Sequence, residues 1–172
     1  MNSGTWLLLG LGSVVGAILL GRYRLLGSPI AASGPARVTP HGSFGEARRG
    51  PPAHKHQGID LIAPPGALVL AVGDGKIVDA KPGLGKIVRK LELDVPSTWT
   101  SSGRIVSAVV YADLGAPLVA PGDLVRRGDP IARVAHAGFV HFAVKERTHD
   151  GEVFFDPSEA GFAYHASGPE VS

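Results

Sequence analysis

Hydrophobic positions along this chain fall into two regimes. From Met1 to Gly21 no side chain is charged, and the run Trp6-Leu-Leu-Leu-Gly-Leu-Gly-Ser-Val-Val-Gly-Ala-Ile-Leu-Leu20 is closed by Arg22, Tyr23 and Arg24. About 20 apolar residues in a helix cover the roughly 30 Å hydrocarbon core of a bilayer, and Trp6 and Tyr23 stand where interfacial aromatics belong. The pattern predicts one membrane-spanning helix over residues 1–24. A cleaved signal peptide and a buried helix are the competing readings. The first lacks its basic n-region, and Gly4, Gly10, Gly12, Gly16 and Gly21 weaken the second. Gly12 and Gly16 make a small-xxx-small pair, a spacing that supports helix pairing in a homo-oligomer and that glycine abundance alone also produces.

After the anchor the period changes. Residues 25–40 are small, rich in Pro and Gly and without periodicity, which reads as a linker. From Ile59 onward, short apolar runs alternate with turn chemistry. The runs are Ala67–Val72, Lys76–Ala80, Lys86–Leu93, Arg104–Tyr111, Leu124–Arg126, Pro130–Ala135 and Val140–Val144. Their lengths and their Val, Ile and Leu content predict strands. Gly73-Asp-Gly75, Lys81-Pro-Gly83, Ala120-Pro-Gly-Asp123 and Arg127-Gly-Asp129 separate them as turns, and no stretch beyond the anchor sustains a helical period. The expectation is an all-β domain of antiparallel sheets over 41–157, a sandwich or a partly open barrel, with residues 158–172 as a weakly ordered tail.

Composition sharpens this picture. The 172 residues are 44% hydrophobic and 6% aromatic, with 24 Gly and 14 Pro, too apolar for disorder and too rich in turns for a helical bundle. Seventeen Lys and Arg against fifteen Asp and Glu give a formal charge of +2, which predicts no nucleic-acid partner. With no cysteine, disulfides, thiolate metal sites and cysteine nucleophiles are excluded, and attention moves to the seven histidines. Arg22 and Arg24 lie C-terminal to the anchor, and the positive-inside rule would keep that side in the cytoplasm.

His56 and Asp60 form an H-x-x-x-D pair just before a predicted strand, and His141 lies in the strand-like Gly138-Phe-Val-His-Phe-Ala-Val144, where alternation turns it away from Val140 and Phe142. Imidazole and carboxylate suit Zn²⁺. Spacing alone leaves open that these are surface histidines beside a turn aspartate.

The wider motif string resembles the lysostaphin- and LytM-type zinc endopeptidases that act on peptidoglycan cross-links, with their duplicated hybrid motif fold. Gly42-Ser-Phe-Gly45 and Arg48-Arg-Gly50 are similar to the family's F-G-x-R segment. His56 to Val78 is similar to its H-x-G-x-D-x-x-A-x-x-G-x-x-V-x-A-x-x-x-G-x-V block, with Ile77 at the last position. Val110-Tyr-Ala-Asp-Leu114 stands at its Y-x-H-L strand, Val119–Ile131 at its V-x-x-G-x-x-V-x-x-G-x-x-I hairpin, Phe139-Val-His141 at its H-x-H, and Asp156-Pro157 at its closing D-P. The resemblance implies a two-layer antiparallel β fold, Zn²⁺ held by His56, Asp60 and His141, a peptidoglycan peptide as partner, and a domain facing the periplasm or cell wall. That location conflicts with the positive-inside reading of Arg22 and Arg24, so either the rule is overridden or the membrane is one not made by ordinary secretion, such as that of a virion.

The family's two assisting histidines are replaced here, by Asp113 in Y-x-H-L and by Phe139 in H-x-H. Phe139 carries no titratable proton, and Asp113 is an anion unless buried. Losing one preorganised donor costs on the order of 10²–10³ in rate, so impaired catalysis is expected. Asp113 and His136 are the candidate proton carriers. His54 reads as a solvated neighbour, and His41, His149 and His165 as surface residues. The hairpin rhythm also occurs in biotinyl and lipoyl carriers, but no lysine stands at a hairpin tip and the H-x-x-x-D pair would go unexplained. Two functional readings stay open. One is a working or slow zinc endopeptidase of the cell wall, a lytic protein of a virion if that is its membrane. The other is a degenerate member that binds wall peptides, activates a partner hydrolase or serves as a structural piece of an assembly.

Overall fold

The structure, a computed structural model, describes residues 26–31, 36–48, 52–82, 89–100 and 102–165. The anchor expected over residues 1–24 lies outside them, and among the described residues no helix is long and apolar enough to cross a membrane. Among the described residues thirteen strands carry the fold: β1 (Ala36–Arg37), β2 (Ala47–Arg48), β3 (His54–Lys55), β4 (Ile59–Ile62), β5 (Leu68–Leu70), β6 (Gly75–Pro82), β7 (Arg89–Trp99), β8 (Ile105–Pro117), β9 (Leu124–Val125), β10 (Pro130–Val134), β11 (Phe139–Thr148), β12 (Gly151–Phe155) and β13 (Tyr164–His165). A short 3-10 helix lies between the last two, at Pro157–Ala160.

Nine strands form one antiparallel sheet in the order β12-β11-β8-β7-β6-β9, with β4 added on β11 and β10 joining β5 to β8. The expected turns hold it in register: the Asp123 carboxylate accepts from the Ala120 amide and the Asp129 carboxylate from the Arg126 amide. The antiparallel all-β architecture is therefore the observed one.

Strand alternation sorts the side chains of β11. Val140, Phe142 and Val144 are fully buried in the apolar core with Tyr111 of the adjoining β8 and Leu91 and Leu93 of β7 beyond it. Burial of each such side chain contributes on the order of 1.5–3 kcal/mol. His141, Ala143 and Lys145 consequently occupy the other face.

Two strands run further than their apolar runs predict. β7 continues past Leu93 to Trp99 through a register shift between Asp94 and Thr98, an interval that holds Pro96, and bulges are where a strand accommodates proline. β8 continues past Tyr111 to Pro117, through a second shift opposite Arg89 and Leu91.

The described parts of the expected linker and tail are built into the domain. Ile30 and Val38 are buried and bridge to Val69 and Leu61, while the Gly27 amide donates to the Val72 carbonyl. On the C-terminal side Ala160 and Phe162 enter the core, and β13 pairs in parallel with β1. Isolated apolar residues in Pro- and Gly-rich sequence anchor these segments, and they carry no periodic signal to announce it.

Candidate metal centre

The register of three strands sets the site. In the β4–β11 ladder Asp60 stands opposite His141, and in the β11–β8 ladder His141 stands opposite Ala112. Asp60, His141 and Ala112 thus form one row across the outer face of the sheet. The row is close-packed at Gly58, where a Cβ would lie 2.5 Å from the Phe142 carbonyl oxygen and 2.8 Å from the His141 ring. Only glycine fits there.

His56 arrives from the segment between β3 and β4 and is fastened by the chain over residues 39–46. The Gly45 amide donates to the His56 carbonyl, the His56 amide to the Glu46 carbonyl, the Asp60 amide to the Gly42 carbonyl, and the Thr39 amide to the Asp60 carbonyl. The His56 ring is oriented too, because its Nδ1 lies 3.0 Å from the Ser43 carbonyl. With Nδ1–H donating to that carbonyl, the Nε2 lone pair faces the group, the way a second partner fixes a histidine ligand's tautomer.

His56 Nε2 lies 2.9 Å from His141 Nδ1, and Asp60 Oδ1 lies 2.9 Å from His141 Nδ1 and 3.2 Å from His56 Nε2. The ligand atoms of His56, Asp60 and His141 all fall within 4.8 Å of one another. His56 and Asp60 are 6% and 7% exposed, and His141 is half-buried. Two imidazoles and one carboxylate converging on a point are the donor set of a three-ligand zinc site that keeps a fourth position open. The residues present fit that metal.

Burial pushes the Asp60 carboxyl up, but hydrogen bonds from His141, His56 and Arg48 outweigh it and hold the group well below the usual carboxylate range. Arg48 donates from Nη2 to Asp60 Oδ2, on the side away from the histidines. In the sequence Arg48 stands out only as part of the F-G-x-R-like segment, with no role attached. A cation twelve residues before a candidate ligand gives no signal of its own until the β2–β3 hairpin folds it back.

Asp113 stands where β8 changes partner. Ala112 pairs with His141 of β11, Leu114 pairs with Val134 of β10, and the shift against β7 leaves one extra residue between Tyr111 and Leu114. Asp113 occupies this bulge with φ of 58°, in the left-handed region that aspartate tolerates better than most residues. A bulge re-aims a side chain. Burial raises the Asp113 carboxyl above its ordinary range, and it feels the charges of His141, Asp60, Arg48 and His56.

The other named positions stand apart. His136 is exposed in the turn Ala135–Gly138, and His54 is exposed with Nδ1 against the Pro52 carbonyl. Neither belongs to the convergent group. Phe139 pairs across the ladder with Ile62, which is 47% exposed, so an apolar step adjoins the His141–Asp60 pair on the same face.

Residues 54–153 match the sequence profile of Peptidase family M23. Among solved structures, a zinc-containing peptidase from Vibrio cholerae is 28% identical with a TM-score of 0.56, the match covering 77% of this chain and 39% of that one. A point mutant of the catalytic domain of the prophage-encoded M23 protein EnpA from Enterococcus faecalis is 19% identical with a TM-score of 0.56, over 78% of this chain and 95% of that one. A chain of the SpoIIQ–SpoIIIAH pore-forming complex is 20% identical with a TM-score of 0.60, over 83% of this chain and 92% of that one. Among curated proteins none matches.

Proposed function

Because the chain belongs to Peptidase family M23, we propose that His56, Asp60 and His141 hold one zinc ion and that the domain engages the peptide cross-links of peptidoglycan, with hydrolysis slowed by the residues at 113 and 139. The observation that carries this reading is the convergence of two imidazole nitrogens and one carboxylate oxygen within 4.8 Å on the outer face of the sheet. Bound there, zinc supplies a Lewis acid that polarises a peptide carbonyl.

The chain's own residues have the following parts. The Ser43 carbonyl and Arg48 orient His56 and Asp60. Asp113, re-aimed by its bulge and coupled in charge to all three ligands, is the proton acceptor. His136 is the second candidate carrier, and its exposed turn would have to close toward the site. Phe139 offers a peptide an apolar contact and no proton. The run over residues 1–24 anchors the domain to the membrane whose outer side carries the wall, or to a virion membrane, against the pull of Arg22 and Arg24.

A second reading is supported by Phe139, which stands two residues before His141 on the same face and performs no acid–base chemistry. In it, zinc stabilises a domain that binds wall peptides or a protein partner. The same fold serves in the SpoIIQ–SpoIIIAH pore-forming complex.

The full-length chain in mild detergent, incubated with purified peptidoglycan beside His56→Ala, tests the first reading. Slow muropeptide release by the wild type that the substitution abolishes supports it. Zinc bound without release selects the second.

A further inference from the structure

We infer that Arg48 makes the His56–Asp60–His141 group a site for an anionic peptide, one with a side-chain carboxylate beside the peptide bond that lies over the group. The inference rests on the reading of that group as a peptide site and names the class of peptide.

Arg48 is half-exposed on β2, and among the described residues Asp60 is its one hydrogen-bond partner, reached through Nη2 alone. A guanidinium carries five N–H donors in a rigid planar fork, so one bond to Asp60 leaves most of that fork to meet another acceptor. That remaining part has a place to act. Arg48 lines a cleft of about 560 Å³ together with His41, Glu46 and Ala47. The carboxylate in this lining is already engaged, since Glu46 Oε1 lies 2.8 Å from His41 Nδ1 and Glu46 Oε2 accepts from the Ser43 amide at 3.3 Å.

Charge points the same way. Asp60 is shared among His56, His141 and Arg48, so it answers the guanidinium only in part. Glu46 and Asp113 oppose an incoming anion at longer range, and both couple to Arg48. A carboxylate that reached the cleft would form the bidentate, charge-assisted pair that arginine favours over lysine. A neutral amide of the same shape would lose that bond.

The test titrates the full-length chain in mild detergent, first stripped of metal with EDTA and then reloaded with zinc. The probes are N-acetyl-Ala-Glu-Ala-amide and its isosteric partner N-acetyl-Ala-Gln-Ala-amide. The glutamate peptide is expected to bind about tenfold tighter or more, with the lead shrinking in high salt. Arg48→Gln should erase the lead and Arg48→Lys should keep part of it. Equal affinity for the two peptides in the wild type, no binding of either included, overturns the inference, as does a lead that persists in Arg48→Gln. The wild-type comparison and Arg48→Lys decide the matter if Arg48→Gln does not fold. Zinc content measured on the same samples separates the two readings. A chain that takes up no zinc and still prefers glutamate refutes the metal site and leaves the Arg48 inference standing. Zinc uptake with equal affinities does the reverse.

Discussion

Asp60 and His141 face one another across the β4–β11 ladder, and Asp60 Oδ1 lies 2.9 Å from His141 Nδ1. They are 81 residues apart in the chain, and the register of the sheet brings them together. The strap over residues 39–46 then adds His56, and Arg48 fixes the far oxygen of the carboxylate.

Zinc should stabilise the fold as well as occupy it. A ligand present at a hundred times its dissociation constant adds about 2.7 kcal/mol to stability. EDTA is therefore expected to lower the thermal midpoint of the wild type, read by circular dichroism. His141→Ala should show a low midpoint that EDTA no longer changes.

The proposed slowing of hydrolysis by Asp113 and Phe139 can be tested by placing histidines at both positions. Phe139 lies on the same face as His141 two residues away, and Asp113 sits in the β8 bulge beside Ala112, where it feels the charges of the group. Asp113→His combined with Phe139→His should raise muropeptide release by about 10²–10³-fold, the effect of restoring a preorganised donor. Unchanged release would show that residues elsewhere limit the rate.

The metal-free chain should respond to acid through Asp60. Its folded pKa lies below the unfolded one, so its stabilising contribution is complete above the ordinary carboxylate pKa of about 3.9. The contribution fades as pH falls toward the depressed folded value. Urea midpoints measured from about pH 5 to pH 2 should fall more steeply for wild type than for Asp60→Asn, which has no proton to gain.

In the core, Phe142 is fully buried, with ring centroids 5.7 Å from Tyr111 and 5.2 Å from Phe162. Phe142→Ala should cost about 3–5 kcal/mol in urea unfolding. Because Phe142 flanks His141 on β11, the variant should also bind zinc more weakly, measured by metal retention.

Much of this was legible in the sequence, and the exceptions have physical causes. Val140, Phe142 and Val144 alternate with His141, so the strand and the outward direction of His141 could both be read directly. The ends of β7 and β8 could not, since Pro96 and Asp113 interrupt the pattern and the bulges that accommodate them belong to the pairing of two strands. Ile30, Val38 and Phe162 dock as single apolar residues, too sparse for any period. Arg48 became visible only when a hairpin laid it against Asp60. His136 shows the opposite case, a titratable residue close to His141 in sequence that the turn leaves exposed.

The most direct measurement is the zinc content of the purified full-length chain after exposure to the metal and removal of excess, beside His56→Ala. The account predicts about one zinc per wild-type chain and a loss of nearly all of it in the variant. A wild type that retains none, or a variant that retains as much, would contradict the His56–Asp60–His141 site.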